Sequence, residues 1–572
     1  MSKTLQIGGG NFSELVLGGY LFVDKSCFIK NVLEDPHKAI VITRPRRWGK
    51  SLNLSMLHHF LAPKVDGVET KGLFDGLEIS KVSGNYIAKH QGQYPVIFMS
   101  FKDFKISSYE KAMETFKILI QRVYAQHIAL IKDPESILDD RAKRLFNHYL
   151  NEPLTEAEIA DSLRYLTELL FTAHRKKVFI LIDEYDTPLN HAFAHHDHEL
   201  FEPLSELLKN FLSAGMKDNS FVEKGVMTGI LRVSKDSMLS GLNNVETYTV
   251  LKDKQYYDSF GFTQQDLVQL FEDQGLSHDE PQVQTWYNGY QINGLTLYNP
   301  WSIMKCLLNK GELGPYWVLS GDDKLLRELI QNSSEGVKKK LERLILGETV
   351  EVLVAETMRF DEIRAHESML WNLLLLGGYL KVLFSDFNGE FYTAQVAIPN
   401  QEVLLAYRGM FSSWLEKVPE RLEHQTQLVA GLVTGDIKQF TAETQFFLES
   451  AASFHDYANQ PEAFYHGFTL ALIASMMDQF YVFSNEESGY GRPDIILIPK
   501  DKSQSRALIL EFKIATSDQN PQTLTQKALQ QIQSKNYSAK IRQYDQITEI
   551  LMIAVVFEGK VVHYAIEKAG LI

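Results

Sequence analysis

Two sets of residues in this sequence have the types and spacing for phosphate chemistry. The first is Thr43-Arg44-Pro45-Arg46-Arg47-Trp48-Gly49-Lys50-Ser51. It follows an apolar run, Ala39-Ile40-Val41-Ile42, and opens onto Leu52-Asn53-Leu54-Ser55-Met56-Leu57, which reads as a helix. Strand, tight turn, Gly-Lys-Ser and helix frame a phosphate-binding loop. Gly49 lets the backbone approach a polyphosphate, and the amides at the helix start point at the anion. Lys50 reaches the β and γ phosphates, and the Ser51 hydroxyl holds Mg²⁺. The general pattern carries a glycine six residues before the lysine, and here Arg44 stands there. Taken alone, Gly-Lys-Ser is equally a basic surface turn capping an ordinary helix.

The second set is Asp494, at the start of the run Ile495-Ile496-Leu497-Ile498, with Glu511-Phe512-Lys513 at the end of Ala507-Leu508-Ile509-Leu510. Strand alternation puts Glu511 and Lys513 on one face. Two carboxylates hold a hard divalent cation, Mg²⁺ or Mn²⁺, through oxygen, helped by the Phe512 carbonyl. Such a cation activates water and stabilises a phosphorane-like transition state, while Lys513 positions water or neutralises charge. Glu462 or Glu487 is a candidate third carboxylate. A lone Glu-x-Lys is also an ordinary strand ending.

The elements around the first set come in an informative order. Tyr94–Ser100 reads as a strand, and Tyr109–Ile128 and Thr155–Ala173 have helical apolar spacing. Lys177-Val178-Phe179-Ile180-Leu181-Ile182-Asp183-Glu184 is a continuous apolar run ending in acids, the mark of a buried parallel strand. In P-loop ATPases such a strand places one acid, here Asp183, on the Mg²⁺ shell. The next, Glu184, polarises the attacking water. A further strand over Val222–Ile230 carries Thr228 at its tip, suited to sensing the γ-phosphate. Arg232 follows, suited either to neutralising transition-state charge or to a surface ion pair.

These residues resemble the AAA-ATPase-like family. The resemblance is carried by the Arg-Pro-Arg-Arg-aromatic-Gly-Lys-Ser loop, Phe22-Val23-Asp24-Lys25-Ser26 upstream, and Leu181-Ile182-Asp183-Glu184-Tyr185-Asp186. Thr228–Ser234, Gly241-Leu242-Asn243-Asn244, Trp286-Tyr287-Asn288-Gly289-Tyr290 and Tyr298-Asn299-Pro300-Trp301-Ser302 add to it. Arg44 is then the family's own pattern. The resemblance implies an ATP site made by Arg46, Arg47, Trp48, Gly49, Lys50, Ser51, Leu52, Asp183, Thr228 and Arg232. Should Arg232 or an arginine of 44–47 act in trans, a homo-oligomer follows by analogy with AAA rings.

The C-terminal stretch resembles the PD-(D/E)xK nuclease superfamily, in the branch found behind AAA-ATPase-like domains. Tyr465-His466-Gly467, Glu487-Ser488-Gly489-Tyr490-Gly491-Arg492, Ala528-Leu529-Gln530-Gln531-Ile532 and Tyr537 match it. The resemblance implies metal ligation by Asp494, Glu511 and the Phe512 carbonyl, catalysis by Asp494, Glu511 and Lys513, and a helix presenting Gln531 to the site.

Between the two lies a less informative region. A turn signal, Asp386-Phe387-Asn388-Gly389, separates two strand-like runs, so helices and a small hairpin suggest a winged-helix-like or packing module. The expected fold is α/β: a P-loop sheet over 1–285, a helical middle and connector over 286–440, and a restriction-endonuclease-like domain over 441–572.

Composition agrees with a folded, multidomain chain. Of 572 residues, 45% are hydrophobic and 23% charged. The two cysteines, Cys27 and Cys306, are far apart, which points to the reducing cytoplasm and away from a disulfide framework. Met1–Gly8 has no signal-peptide core, and apolar runs such as Leu370–Leu376 are too short to cross a bilayer. The net charge of −14 argues against bulk nonspecific nucleic-acid binding and leaves room for a local basic groove. The expected function is an ATP-binding, ATP-hydrolysing protein that gates a metal-dependent nuclease acting on DNA. The alternative is an ATP-controlled nucleic-acid-binding or signalling switch that does not cut.

Overall fold

The structure is a computed structural model. It describes residues 4–133, 136–194, 198–231, 245–277, 279–317, 324–355, 366–389, 391–412, 421–451, 472–474, 476–484, 494–515, 519–534, 540–559 and 561–570. The chain forms two compact units, Met1–Leu326 with Glu351–Glu402, and Arg327–Val350 with Val403–Ile572. The expected middle region is thus divided between them.

In the first unit, β1 (Ala39–Thr43) leads through the loop into α1 (Lys50–Leu61). Then come β2 (Val96–Ser100), α2 (Tyr109–Gln126) and α3 (Glu156–His174). A capping box starts α3, with Thr155 Oγ1 accepting from Glu158 N and Glu158 Oε2 accepting from Thr155 N. β3 (Val178–Asp183), α4 (His198–Met216), β4 (Val222–Gly229) and β5 (Val245–Tyr248) complete the layer.

The strands form one parallel sheet in the order β2-β3-β4-β1-β5. β1 and β3 are buried along their whole length, as their unbroken apolar runs require in a parallel sheet. β4 separates them, with Thr228 level with Ile42 and Met227 level with Ile182. This register brings Thr228 to the tip between the loop strand and the acidic strand. The sequence reading did not identify β5, whose four residues alternate between buried and partly buried.

Two elements of the middle stretch follow, α5 (Glu335–Ile345) in the second unit and β6 (Val350–Ala355) at its boundary. α6 (Glu367–Leu376), β7 (Lys381–Phe387) and β8 (Phe391–Ala397) belong to the first unit. The expected hairpin is present: β7 and β8 are antiparallel, and Gly389 at the turn has φ +103°. β8 lies between β6 and β7.

The second unit is built on β9 (Phe480–Ser484), β10 (Ile495–Pro499), β11 (Arg506–Ile514), α7 (Pro521–Ser534), β12 (Glu549–Glu558) and β13 (Val561–Gly570). The sheet order follows the chain, with β11 and β12 parallel and the other pairs antiparallel. Each face of the sheet packs its own core. Ile495, Leu497, Leu508 and Leu510 face a helical layer containing Leu432, Phe440 and Met476. Ile496, Ile498, Ala507 and Ile509 face Ala528, Leu529 and Ile532 of α7. Strict alternation then assigns Asp494, Glu511 and Lys513 to the α7 side. β13 is an edge strand that the sequence reading left out; its partly exposed residues give a weak apolar signal.

Candidate functional site

In the first unit, the loop between β1 and α1 turns through two left-handed residues, Arg47 at φ +65° and Gly49 at φ +80°. Gly49 has open space where a side chain would sit. Its conformation fits a backbone that cups an anion over the start of α1. Leu52 lies in the first turn of that helix.

Arg44, in place of the usual glycine, points away from the loop mouth. Its side chain is fully buried and ion-paired with Asp253, which is equally buried. The guanidinium also donates to Thr43 O at 2.8 Å and Tyr256 O at 3.1 Å, and lies over the Phe260 ring. It is an internal strut, and only its main chain takes part in the loop.

Aromatic residues from later in the chain hold the loop from outside. Trp48 is buried edge-on against Tyr290, with ring centroids 5.1 Å apart. Gly261 gives it room, because a Cβ there would lie 2.8 Å from the indole. The Arg47 guanidinium stacks 3.6 Å from the Trp301 ring, a cation–π contact that offsets its left-handed backbone. Trp317 Nε1 donates to Arg46 O at 3.3 Å. Asn299 Oδ1 caps the helix Pro300–Leu308, fixing Trp301. The two aromatic-Asn elements of the sequence therefore brace the phosphate loop.

Inside the mouth, Lys50 Nζ donates to Arg44 O at 2.9 Å and Pro45 O at 2.8 Å. Burial lowers its pKa to about 8, against the opposing pull of Asp183, Asp186 and Glu184. Ser51 Oγ donates to Asp183 Oδ2 at 2.5 Å, and Thr228 Oγ1 donates to Asp183 Oδ1 at 2.7 Å. Two hydroxyls, one from the first turn of α1 and one from the end of β4, thus converge on the carboxylate at the end of β3. Glu184 follows in a left-handed conformation, φ +53°, and burial, then Asp183, raises its pKa. A bound nucleotide's Mg²⁺ would find Ser51 and Asp183 side by side, with Lys50 facing the phosphates; the residues fit the group.

Sequence reasoning gave no role to Asp186. It is buried, and its Oδ2 accepts from Ile230 N, Leu231 N and Asn190 Nδ2. Tyr185 OH donates to Leu231 O at 2.6 Å. Together they stitch the end of β3 to the end of β4. Gly229 makes this possible: a Cβ there would lie 2.5 Å from Asp186 Oδ1. The signal was a third acid three residues after Asp183. Asp253 gave no local signal at all. Arg232 and Gly241–Asn244 lie outside the described residues.

In the second unit, Ile495 pairs with Leu510 and Ile496 with Ile509. One step further along the strands, Asp494 is level with Glu511. Asp494 Oδ2 accepts from Phe512 N at 2.7 Å. Glu511 is 1% exposed. Its Oε1 accepts from Lys513 Nζ at 2.7 Å and from Gln531 Nε2 of α7. Its Oε2 is buried without a hydrogen-bond partner among the described residues. Burial, then the charge of Asp494, raises the Glu511 pKa. Lys513 is partly exposed, so its ammonium lies at the open side of the pair.

An unpartnered buried carboxylate oxygen beside a second carboxylate is a donor set that a hard cation satisfies. Among the described residues no three metal-ligating side chains gather in one place. A cation here would therefore take Asp494 and Glu511, with main-chain and water oxygens for the rest. Glu462, His466, Glu487, Arg492 and Tyr537 lie outside the described residues.

Among those described, no helix is long and apolar enough to cross a membrane. The chain is 24% identical over 577 residues, 99% of each chain, to a protein of Azotobacter chroococcum mcd 1 described as an uncharacterized protein in the vnfD 5' region. Residues 6–239 match the predicted AAA-ATPase family, and residues 460–567 match the PD-(D/E)XK nuclease superfamily. The phosphate loop with β1 to β4 and the two-carboxylate strand pair fall inside these two stretches, so the chain joins an AAA-ATPase-like domain to a C-terminal domain of the PD-(D/E)XK nuclease superfamily.

Proposed function

We propose that this protein binds and hydrolyses ATP in its N-terminal domain, residues 1–285, and uses that cycle to gate a divalent-metal-dependent nuclease, residues 441–572, that cuts DNA. The observation that carries the nuclease reading is Glu511 Oε2, a buried carboxylate oxygen with no hydrogen-bond partner among the described residues. Asp494 and Glu511, with the Phe512 carbonyl, would hold Mg²⁺ or Mn²⁺. The bound cation supplies activation of water and neutralisation of charge on the scissile phosphate.

The chain's own residues do the rest. Gln531 fixes the Glu511 carboxylate in rotation, and Lys513, at the partly exposed end of the pair, carries positive charge to the phosphate or orients water. In the ATPase domain, Arg46, Arg47, Trp48, Gly49, Lys50, Ser51 and Leu52 form the cradle. Ser51 and Asp183 hold Mg²⁺, Glu184 orients water, and Thr228 senses the γ-phosphate through Asp183. Arg232 is assigned to transition-state charge.

The test is cleavage of a mixed DNA and RNA panel with Mg²⁺ or Mn²⁺, with and without ATP, by wild type, Lys513→Ala and Lys50→Ala. Cutting of DNA that is lost in Lys513→Ala and loses its ATP dependence in Lys50→Ala supports the gated nuclease. ATP binding without any cutting by wild type refutes it in favour of a non-cleaving switch.

A further inference from the structure

Helix α5 carries Glu342, far in sequence from the nuclease stretch and outside both matched regions. Yet Glu342 is 3% exposed and belongs to the second unit. Val337, Leu341, Leu344 and Ile345 bury the same side of the helix, so apolar packing sets where its carboxylate lies. That carboxylate accepts from Ser484 Oγ at the end of β9, 142 residues away. The same hydroxyl lies 2.8 Å from the main-chain carbonyl oxygen of Asp494. One serine proton is thus shared between a buried carboxylate and the backbone of a metal-site residue. On its other side, Asp494 is held by Phe512 N. Burying a carboxylate is costly unless polar partners compensate it, and this one is placed where its partner reaches the metal site.

We propose that Glu342 is a positioning residue for the nuclease site. It orients Ser484, which holds the Asp494 backbone, so that the Asp494 side chain stays level with Glu511. Replacing a group that orients a metal ligand typically weakens metal affinity by about 10- to 100-fold. The inference rests on the reading of Asp494 and Glu511 as metal holders.

The experiment is a Mn²⁺ titration of the full chain without nucleotide, with free Mn²⁺ read by electron paramagnetic resonance. Asp494→Asn gives the background of other sites. Glu342→Ala and Ser484→Ala should each weaken the Asp494-dependent binding by about 10- to 100-fold. Glu342→Gln keeps an oxygen that accepts the serine proton, and should stay within about threefold of wild type, the size of one weakened hydrogen bond. Far-ultraviolet circular dichroism establishes that each variant is folded. Should Glu342→Ala not fold, Ser484→Ala, which removes a single hydroxyl, carries the test.

Wild-type affinity in folded Ser484→Ala or Glu342→Ala overturns the proposal. So does a Glu342→Gln as weak as Glu342→Ala, since charge rather than orientation would then matter. Wild type binding no more Mn²⁺ than Asp494→Asn would defeat the metal reading itself and the proposal with it, a result distinct from either of the others.

Discussion

Arg44 is the residue that most departs from a general phosphate loop, and its side chain gives a quantitative test. Replacing it with methionine keeps the volume but leaves Asp253 as a buried carboxylate, in a place where both side chains have no solvent exposure. Breaking a buried pair from one side costs about 3–5 kcal/mol. The carbonyls of Thr43 and Tyr256 also lose a donor. That loss overlaps the first, so the whole effect should be about 4 kcal/mol rather than a sum.

Asp253→Asn is the reciprocal change. It keeps an Oδ1 acceptor for Gln255 N and Tyr256 N, and leaves the guanidinium buried without its counter-charge. The double variant removes both charges, and should recover about 2–3 kcal/mol of the two losses combined, because neither ion is left uncompensated. Urea unfolding followed by tryptophan fluorescence suits the measurement. Five of the six tryptophans, Trp48, Trp286, Trp301, Trp317 and Trp371, belong to the first unit. Each single variant should lower that unit's midpoint, and the double variant should lie above at least one of them. Additive losses, or a loss below about 1 kcal/mol for Arg44→Met, would refute the strut.

Other consequences follow from the same geometry. Thr228→Val removes the hydroxyl that donates to Asp183, and should cut ATP turnover by about tenfold or more while leaving ATP affinity within a few-fold, measured by phosphate release and calorimetry. Gly229→Ala drives a methyl into Asp186 and Tyr185, and should lower the stability of the first unit by about 1–3 kcal/mol in the same urea assay. Burial raises the Glu402 pKa from 4.5 to about 7, with Ser302 Oγ and Trp317 N donating to it. The folded state therefore keeps a proton that the unfolded state loses. This stabilisation is full below about pH 4.5 and is lost as pH rises through about 7, by about 3 kcal/mol. Glu402→Gln should flatten that slope, and an unchanged pH profile would count against the burial argument.

The local frame of both sites was legible in the sequence. β1, the loop and α1 announce themselves through an unbroken apolar run, Gly-Lys-Ser and a helical pattern. β3 does so through its apolar run ending in acids. In the second unit, alternation alone put Glu511 and Lys513 on one face, and the two-sided core of β10 and β11 shows why that works. Residues outside such periodic runs were less legible. β5 and β13 lack a continuous apolar signal, and the spacing of Asp186 after Asp183 does not by itself name the amides it accepts from.

The sequence by itself determined which residue types stand at the ends of which strands, because strand alternation and turn chemistry act between near neighbours. Only the tertiary structure decided which distant groups complete them. Arg44 meets Asp253 across 209 residues, and Glu342 meets Ser484 across 142. Trp48 is sealed by Tyr290, and Arg47 by Trp301. No local periodicity encodes these pairings. They arise because a buried charge or an unpaired donor must find a partner wherever the packed chain brings one.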